Sequence, residues 1–156
     1  MTLPDRDAFE DFVSVSGVRL RQGLVARFGL DVGVEATSDA LGWAWEHWDR
    51  VQSMENRLGY LFRVGQSSAR RYRRWGRKVD LPPEPHGSAD WMVEPGLGAA
   101  LARLADSQRV AVLLVKGHDW TYADVAALTG TSESTTRTHV HRGLERLRRL
   151  LGAEHD

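Results

Sequence analysis

The chain has no cysteine, very little lysine and no long apolar run. Without cysteine it can form no disulfide and use no thiolate chemistry, and zinc would have to rely on histidine and carboxylate ligands alone. No apolar stretch approaches the roughly 20 residues that cross a bilayer, and residues 1–11 are acidic where a signal peptide would be basic and then apolar. We therefore expect a cytoplasmic protein with no membrane insertion.

The formal net charge is zero, from 21 basic and 21 acidic residues, and neutrality alone would argue against a polyanionic partner. The charges are nevertheless segregated along the chain. The net charge is −5 over residues 1–56, +8 over 57–78, −5 over 79–136 and +2 over 137–156. Only two of the basic residues are lysine, so the positive segments consist of arginine, whose forked guanidinium suits phosphates and guanine edges.

The pattern of prolines and apolar residues predicts an all-α protein with two small helical domains. Residues 79–95 hold four of the five prolines and show no apolar period, which is typical of a flexible linker. It would join a domain over residues 5–78 to one over residues 96–152, each small enough to need a compact helical core. Strand-like alternation is absent.

Helical periodicity predicts three helices before the linker, over residues 7–28, 35–48 and 55–75. The third is apolar on one side and polar on the other, where the side chains are Arg63, Gln66, Ser67, Arg70 and Arg74. Such a face is either a solvated arginine surface or a surface that holds a DNA backbone.

After the linker the spacing predicts a short helix through Leu97 and Leu104 and a buried helix over residues 107–116. Thr121 and Ser132 are good helix N-caps, and the turn around Gly130 separates the two helices that they begin. Helix, three-residue turn with glycine and helix form a helix-turn-helix signature.

In a helix-turn-helix the second helix reads base edges in the major groove. Its predicted buried stripe is Thr136, Val140, Leu144, Leu147 and Leu151. The outward residues combine hydroxyls, arginines and one glutamate, which is a plausible set for reading bases and phosphates: Ser132, Glu133, Ser134, Thr135, Arg137, Thr138, His141 and Arg142. The alternative is a merely solvated polar face.

An enzyme is a third and poorly supported class. The six histidines show no metal-binding spacing with carboxylates, and no glycine-rich phosphate loop or nucleophile elbow is present. We predict no catalytic residue, no metal and no cofactor.

Over nearly its whole length the chain resembles the small alternative sigma factors of bacteria, called extracytoplasmic-function or ECF sigma factors, which have a region 2 and a region 4. Residues 101–151, LARLADSQRVAVLLVKGHDWTYADVAALTGTSESTTRTHVHRGLERLRRLL, are similar to region 4. Residues 35–45, EATSDALGWAW, stand where the family has its acidic DLVQE motif, and residues 56–74 resemble the helix that contacts the minus-10 promoter element.

The resemblance implies promoter recognition for RNA polymerase, and no enzymatic activity. Region 4 would contact the minus-35 element through the helix that begins after Ser132. Region 2 would contact the minus-10 element through the basic helix, with Arg71 added to its polar face, and residues 50–55 would be the base-capturing loop. The polymerase-binding residues would be Glu35, Asp39, Trp43 and Glu46.

The implied partners are core RNA polymerase, through its β′ and β subunits, promoter DNA and an anti-sigma factor. Two departures from the family pattern leave a second hypothesis open. EATSD lacks the apolar and glutamine centre of DLVQE, and Thr136 replaces an apolar residue. The alternative is a degenerate sigma-like helix-turn-helix regulator that binds DNA without driving initiation.

Overall fold

The computed structural model describes residues 5–74 and 95–155, and within these two ranges the regular structure is helical, without strands. An N-terminal unit comprises α1 (Arg6–Phe28), α2 (Leu30–Glu46), α3 (Trp48–Gln52) and α4 (Arg57–Arg74). A C-terminal unit comprises α5 (Leu97–Ala102), α6 (Asp106–Val112), a π-helical turn (Leu113–Gly117), α7 (Tyr122–Thr129) and α8 (Glu133–His155). The predicted all-α, two-domain fold is confirmed.

The predicted linker, residues 79–95, lies outside the described residues except for Pro95. The proposed domain bounds therefore stay predictions. Within the described ranges, no helix is long and apolar enough to cross a membrane.

The second predicted helix has the wrong bounds. It was expected over residues 35–48, but α2 begins at Leu30 and ends at Glu46, and Trp48 starts the separate helix α3. Gly29 has a positive φ of 88°, which lets the chain turn from α1 into α2 within one residue. The third predicted helix begins at Arg57 rather than at residue 55.

The helices of the N-terminal unit bury the faces that periodicity predicts. Leu20, Leu24 and Phe28 of α1 are fully buried, together with Trp48 and Phe62. The crossing of α1 and α2 is very close, since a Cβ at position 33 would lie 2.6 Å from Cα of Val25. Only glycine fits at that crossing.

A π-helical turn changes the course of the chain after α6. His118 N–H donates to the carbonyl of Leu113, five residues back, and Trp120 N–H donates to Leu114. The wider turn ends the predicted buried helix and places the Trp120 side chain in the core, with 4% exposure.

The two units pack against each other and share one hydrophobic cluster. At the centre of the contact, a Cβ at position 23 of α1 would come within 2.8 Å of Leu128 of α7. The sequence predicts a separate core for each unit. The structure instead joins them directly, through α1 and α4 on one side and α6 and α7 on the other.

Candidate nucleic-acid interface

The helix-turn-helix is built from local capping interactions. Thr121 Oγ1 accepts from the backbone N–H of Asp124 at 3.0 Å and starts α7, while Ser132 Oγ accepts from Thr135 N–H at 3.1 Å and starts α8. Between them Gly130 has a left-handed φ of 71°, which ends α7. Both predicted N-caps and the predicted glycine turn are confirmed.

The predicted reading residues lie on the outer face of α8. Thr135 is half-buried and the other seven are exposed: Ser132, Glu133, Ser134, Arg137, Thr138, His141 and Arg142. The predicted buried stripe lies on the opposite side, where Thr136, Val140 and Leu147 are buried and Leu144 and Leu151 are half-buried. The structure therefore groups the predicted set on one surface.

Several of these side chains are held by neighbours. The guanidinium of Arg137 lies 5.2 Å from the ring centroid of Tyr122 on α7, which links the two helices across the turn. His141 Nε2 is 3.2 Å from the carboxylate of Glu145. Thr138 Oγ1 donates to the carbonyl of Ser134 at 3.1 Å.

Thr136 is fully buried although the family pattern has an apolar residue there. Its hydroxyl donates to the carbonyl of Ser132 at 3.1 Å and lies 3.4 Å from the hydroxyl of Thr131. The hydroxyl is thus satisfied within the first turn of α8, so this departure leaves the recognition helix intact.

The polar face of α4 forms a second exposed cationic surface. Arg63, Ser67, Arg70 and Arg71 are exposed and Gln66 is half-buried. Arg74 ends the helix, and its side chain lies outside the described residues. The guanidinium of Arg63 lies 5.5 Å from the ring of Tyr60.

The predicted polymerase-binding residues lie along α2. Glu35, Asp39 and Glu46 are exposed and Trp43 is half-buried. Trp43 stacks on His47, with ring centroids 4.3 Å apart, and its ring is 5.5 Å from that of Tyr60.

Asp39 also bonds to α4. Its Oδ2 accepts hydrogen bonds from Ser68 Oγ and, at 2.9 Å, from Tyr72 OH. The hydrogen bond to Asp39 and desolvation raise the pKa of Tyr72 to about 12, with smaller contributions from the Asp39 charge and from Glu35. Asp39, the last residue of the altered motif, therefore fastens α2 to the basic helix.

The predicted base-capturing loop, residues 50–55, is only partly a loop, because residues 50–52 belong to α3. A groove of about 460 Å³ opens beside these residues. Its walls come from the N-terminal half of α1 and from Trp48, Gln52 and Arg57. Trp48 is 1% exposed and belongs to the core.

Sequence reasoning missed the polar residues that join the two units. Buried Arg109 of α6 donates to the carbonyls of Ala26 and Arg27 at the end of α1, at 2.8 and 2.6 Å. Asn56, at the start of α4, donates to the carbonyl of Ala127 at 2.7 Å. The position of Arg109 directly before the apolar run of residues 110–115 was the one signal that could have pointed to such a contact.

Comparison with known proteins agrees with this arrangement. Residues 96–147 match the family model for sigma-70, region 4. The RNA polymerase sigma factor CarQ of Myxococcus xanthus is 32% identical over 105 residues, which are 61% of this chain and 60% of CarQ. The match thus spans less than two thirds of that curated relative.

A solved structure shares the fold. It is the sigma factor RpoE in complex with the anti-sigma factor NepR from Bartonella quintana, with a TM-score of 0.67, 23% sequence identity, and coverage of 94% of this chain and 98% of that one. Residues 96–147 of this chain thus match sigma-70 region 4, and over 94% of its length the chain shares the fold of that sigma factor.

Proposed function

We propose that this chain is an ECF sigma factor, which recruits core RNA polymerase to promoters. The observation that carries the proposal is the presence in one chain of two exposed arginine-bearing helix faces, one of them on the second helix of a helix-turn-helix. The role is regulatory and not catalytic, and it is exercised in the cytoplasm, where the polymerase acts.

In this proposal α8 contacts the minus-35 element. Arg137 and Arg142 are suited to the O6 and N7 acceptors of guanine, and Glu133 to the amino group of cytosine. Stacking on Tyr122 limits the rotamers of Arg137, so less side-chain entropy is lost when it binds a base.

The face of α4 contacts the minus-10 element. Arg63, Arg70 and Arg71 would neutralise phosphates, with Gln66 and Ser67 between them as hydrogen-bonding groups. The groove beside residues 50–55 is adjacent to the start of this helix and has room for one flipped base.

The exposed acids of α2 are proposed to bind the polymerase. Glu35 and Glu46 are exposed acids that would face a basic subunit surface, and Trp43 is a half-buried aromatic on the same helix. Asp39 would contribute through its exposed side while it holds α4 by way of Tyr72. The β′ and β subunits are the proposed polymerase partners, and an anti-sigma factor would compete for the same surfaces.

A binding assay with purified core polymerase tests the proposal. We expect a stable complex and promoter-dependent transcripts. Arg70→Ala should weaken promoter binding, and it should reduce the slope of log affinity against log salt concentration by about one. Arg103→Ala, an exposed arginine after α5, is the matched control and should leave both unchanged. A chain that does not bind core polymerase under any salt condition would contradict the proposal.

The second candidate is a helix-turn-helix regulator that does not drive initiation. It is favoured by one observation, namely that Asp39 of the altered acidic motif already accepts two hydrogen bonds from α4. This candidate predicts specific duplex binding by the chain alone, with an affinity that added core polymerase leaves unchanged.

A further inference from the structure

Helix α1 exposes an apolar patch at its middle. Within residues 5–74 and 95–155, the large apolar side chains that are exposed are Val15 and Val18, at 74% and 61%. They lie three residues apart, so they are neighbours on one face of the helix. A single exposed valine needs no explanation, whereas two adjacent ones on the same face form the centre of a possible contact surface.

The exposed residues of α1 beyond Arg6 form one stripe that continues on both sides of this patch. They recur every three or four residues, as one face of a helix does, and they are Asp7, Glu10, Asp11, Ser14, Val15, Val18 and Arg21. Beside the valines the surface is low. Ser14 is small, and a Cβ at position 17 would meet, among the described residues, only the side chain of Val13 on the same helix. A second helix can therefore approach the middle of the stripe closely.

The charges of α1 are divided between its two ends. The net charge is −3 over residues 5–14 and +3 over residues 15–28. Two of the three arginines in the second half already pair with acids of other helices. The third, Arg21, is in no ion pair with the described residues, and neither is Asp11. These two residues lie about 15 Å apart along the helix, one on each side of the valines.

We propose that this stripe is a self-association surface, on which α1 of a second copy of the chain packs antiparallel. A twofold axis near residue 16 sets Asp11 opposite Arg21 of the second copy, and Arg21 opposite Asp11 of that copy. The four valines meet between these two ion pairs. Such an interface is isologous, because the same patch serves both copies and the contact closes on itself. Parallel packing would instead place like charges opposite one another.

Three observations favour a second copy as the occupant. A wholly acidic or wholly basic partner would match one end of the stripe and be repelled by the other, whereas the helix itself matches both. The chain has no net charge, so no long-range repulsion keeps its copies apart. Asp11 and Val15 also line the groove that Phe12 and Trp48 border, so the second helix covers an edge of this groove and buries more apolar surface than the valines alone.

The contact is small, and the dimer is therefore weak. One pair of helices in contact over about three turns buries far less than the roughly 1,200 Å² of a stable protein complex. We expect a dissociation constant on the order of 10⁻⁵ M at low ionic strength. It should rise as salt screens the two exposed ion pairs.

Charge reversal tests the pairing without polymerase or DNA, so the proposal can fail independently of the proposed function. Asp11→Arg leaves two cations at the ends of the contact, and Arg21→Asp leaves two acids. Each variant alone should have a dissociation constant at least about tenfold higher than that of the parent. An equimolar mixture of the two variants should regain the parent affinity, because every contact then joins opposite charges. Sedimentation velocity over a range of concentrations measures the association in each case.

The controls make this result specific. Arg103→Asp makes the same charge change at an exposed position outside α1 and should associate as the parent does. Circular dichroism should show the same helicity in all variants, since the three substituted positions are exposed. A parent that is monomeric at low salt and a concentration on the order of 10⁻⁴ M would overturn the proposal. A dimer that Asp11→Arg leaves unchanged, or a mixture no more associated than its two components, would also overturn it.

Discussion

Arg109 donates from Nε to the carbonyl oxygen of Ala26 at 2.8 Å, so that a side chain of the C-terminal unit satisfies the end of α1. The last four carbonyls of a helix have no partner within the helix, and Ala26 and Arg27 are two of these. The same guanidinium bonds to the carbonyl of Leu104 and to Asp106. One buried arginine thus connects the end of α1 to residues 104–109.

Replacing this arginine should therefore destabilise the whole protein. We expect Arg109→Met to lower the free energy of unfolding by about 3 kcal/mol, because it leaves buried carbonyls without donors and removes a charged partner of Asp106. Urea unfolding followed by circular dichroism measures the change. The exposed Arg103→Met should stay within about 0.5 kcal/mol of the parent, and losses of the same size in both variants would contradict this role.

Two glycines of α2 provide a matched test of the close crossing with α1. Gly33→Ala should destabilise by about 2 kcal/mol, since its Cβ would lie 2.6 Å from Cα of Val25. Gly42→Ala meets no atom within 4 Å and should stabilise by up to about 1 kcal/mol through helix propensity. The melting temperatures of the two variants give the comparison. Equal shifts of the same sign in these temperatures would show that the crossing is not close.

The buried hydroxyl of Thr136 is expected to contribute little to the free energy of unfolding. Thr136→Val keeps the shape of the side chain and removes a bond to the carbonyl of Ser132, a type of bond that contributes little to helix stability. We predict a change below about 1 kcal/mol in the free energy of unfolding. Urea unfolding is the measurement, and a larger loss would mean that the contact with Thr131 is essential to the turn.

Tyr72 gives the structure a spectroscopic signature of the link between α2 and α4. Its raised pKa, about 12, means that the neutral phenol is favoured in the folded state. The stability that this bond contributes is complete below pH 10, the ordinary tyrosine pKa, and is lost as the pH rises towards about 12. Subtracting the absorbance titration of Tyr72→Phe from that of the parent should isolate the ionisation of this phenol.

The Asp39→Asn variant supplies the control for that titration. It removes the carboxylate that accepts the bond, so the pKa of Tyr72 should fall towards 10. An unchanged titration in this variant would show that Asp39 is not the cause of the shift.

Substitutions on the recognition face of α8 should affect transcription differently at different positions. Under the proposed function, Arg137→Ala should reduce promoter-dependent transcription about tenfold or more and relax the base preference at one position of the minus-35 element. Arg148→Ala, an exposed arginine further along the same helix, should change neither. Transcription from a library of randomised upstream elements distinguishes loss of base reading from a general loss of affinity.

The features that sequence analysis predicted correctly depend on local signals. Thr121, Gly130 and Ser132 act within one turn of their own helices, so their roles follow from residue type and spacing. The faces of α1, α4 and α8 follow from periodicity, because burial repeats with the helical turn.

The features that were missed depend on contacts between distant segments. The second helix was predicted to begin at residue 35, but α2 begins at Leu30 and includes Gly33, where the close crossing with Val25 requires a glycine. The partners of Trp120 and Arg109 lie about 80 to 100 residues away in the chain, so no local sequence pattern predicts these contacts. The packing contact between the two units could not be predicted from the sequence for the same reason.

The central claim is tested most directly by transcription of fragmented genomic DNA from the source organism with core polymerase, in the presence and absence of this chain, followed by mapping of the transcript ends. The account predicts new start sites that appear only with the chain present and that share a minus-10 and a minus-35 element. Their appearance should depend on Arg70 of α4 and on Arg137 of α8 together. The same start sites with and without the chain would contradict the account.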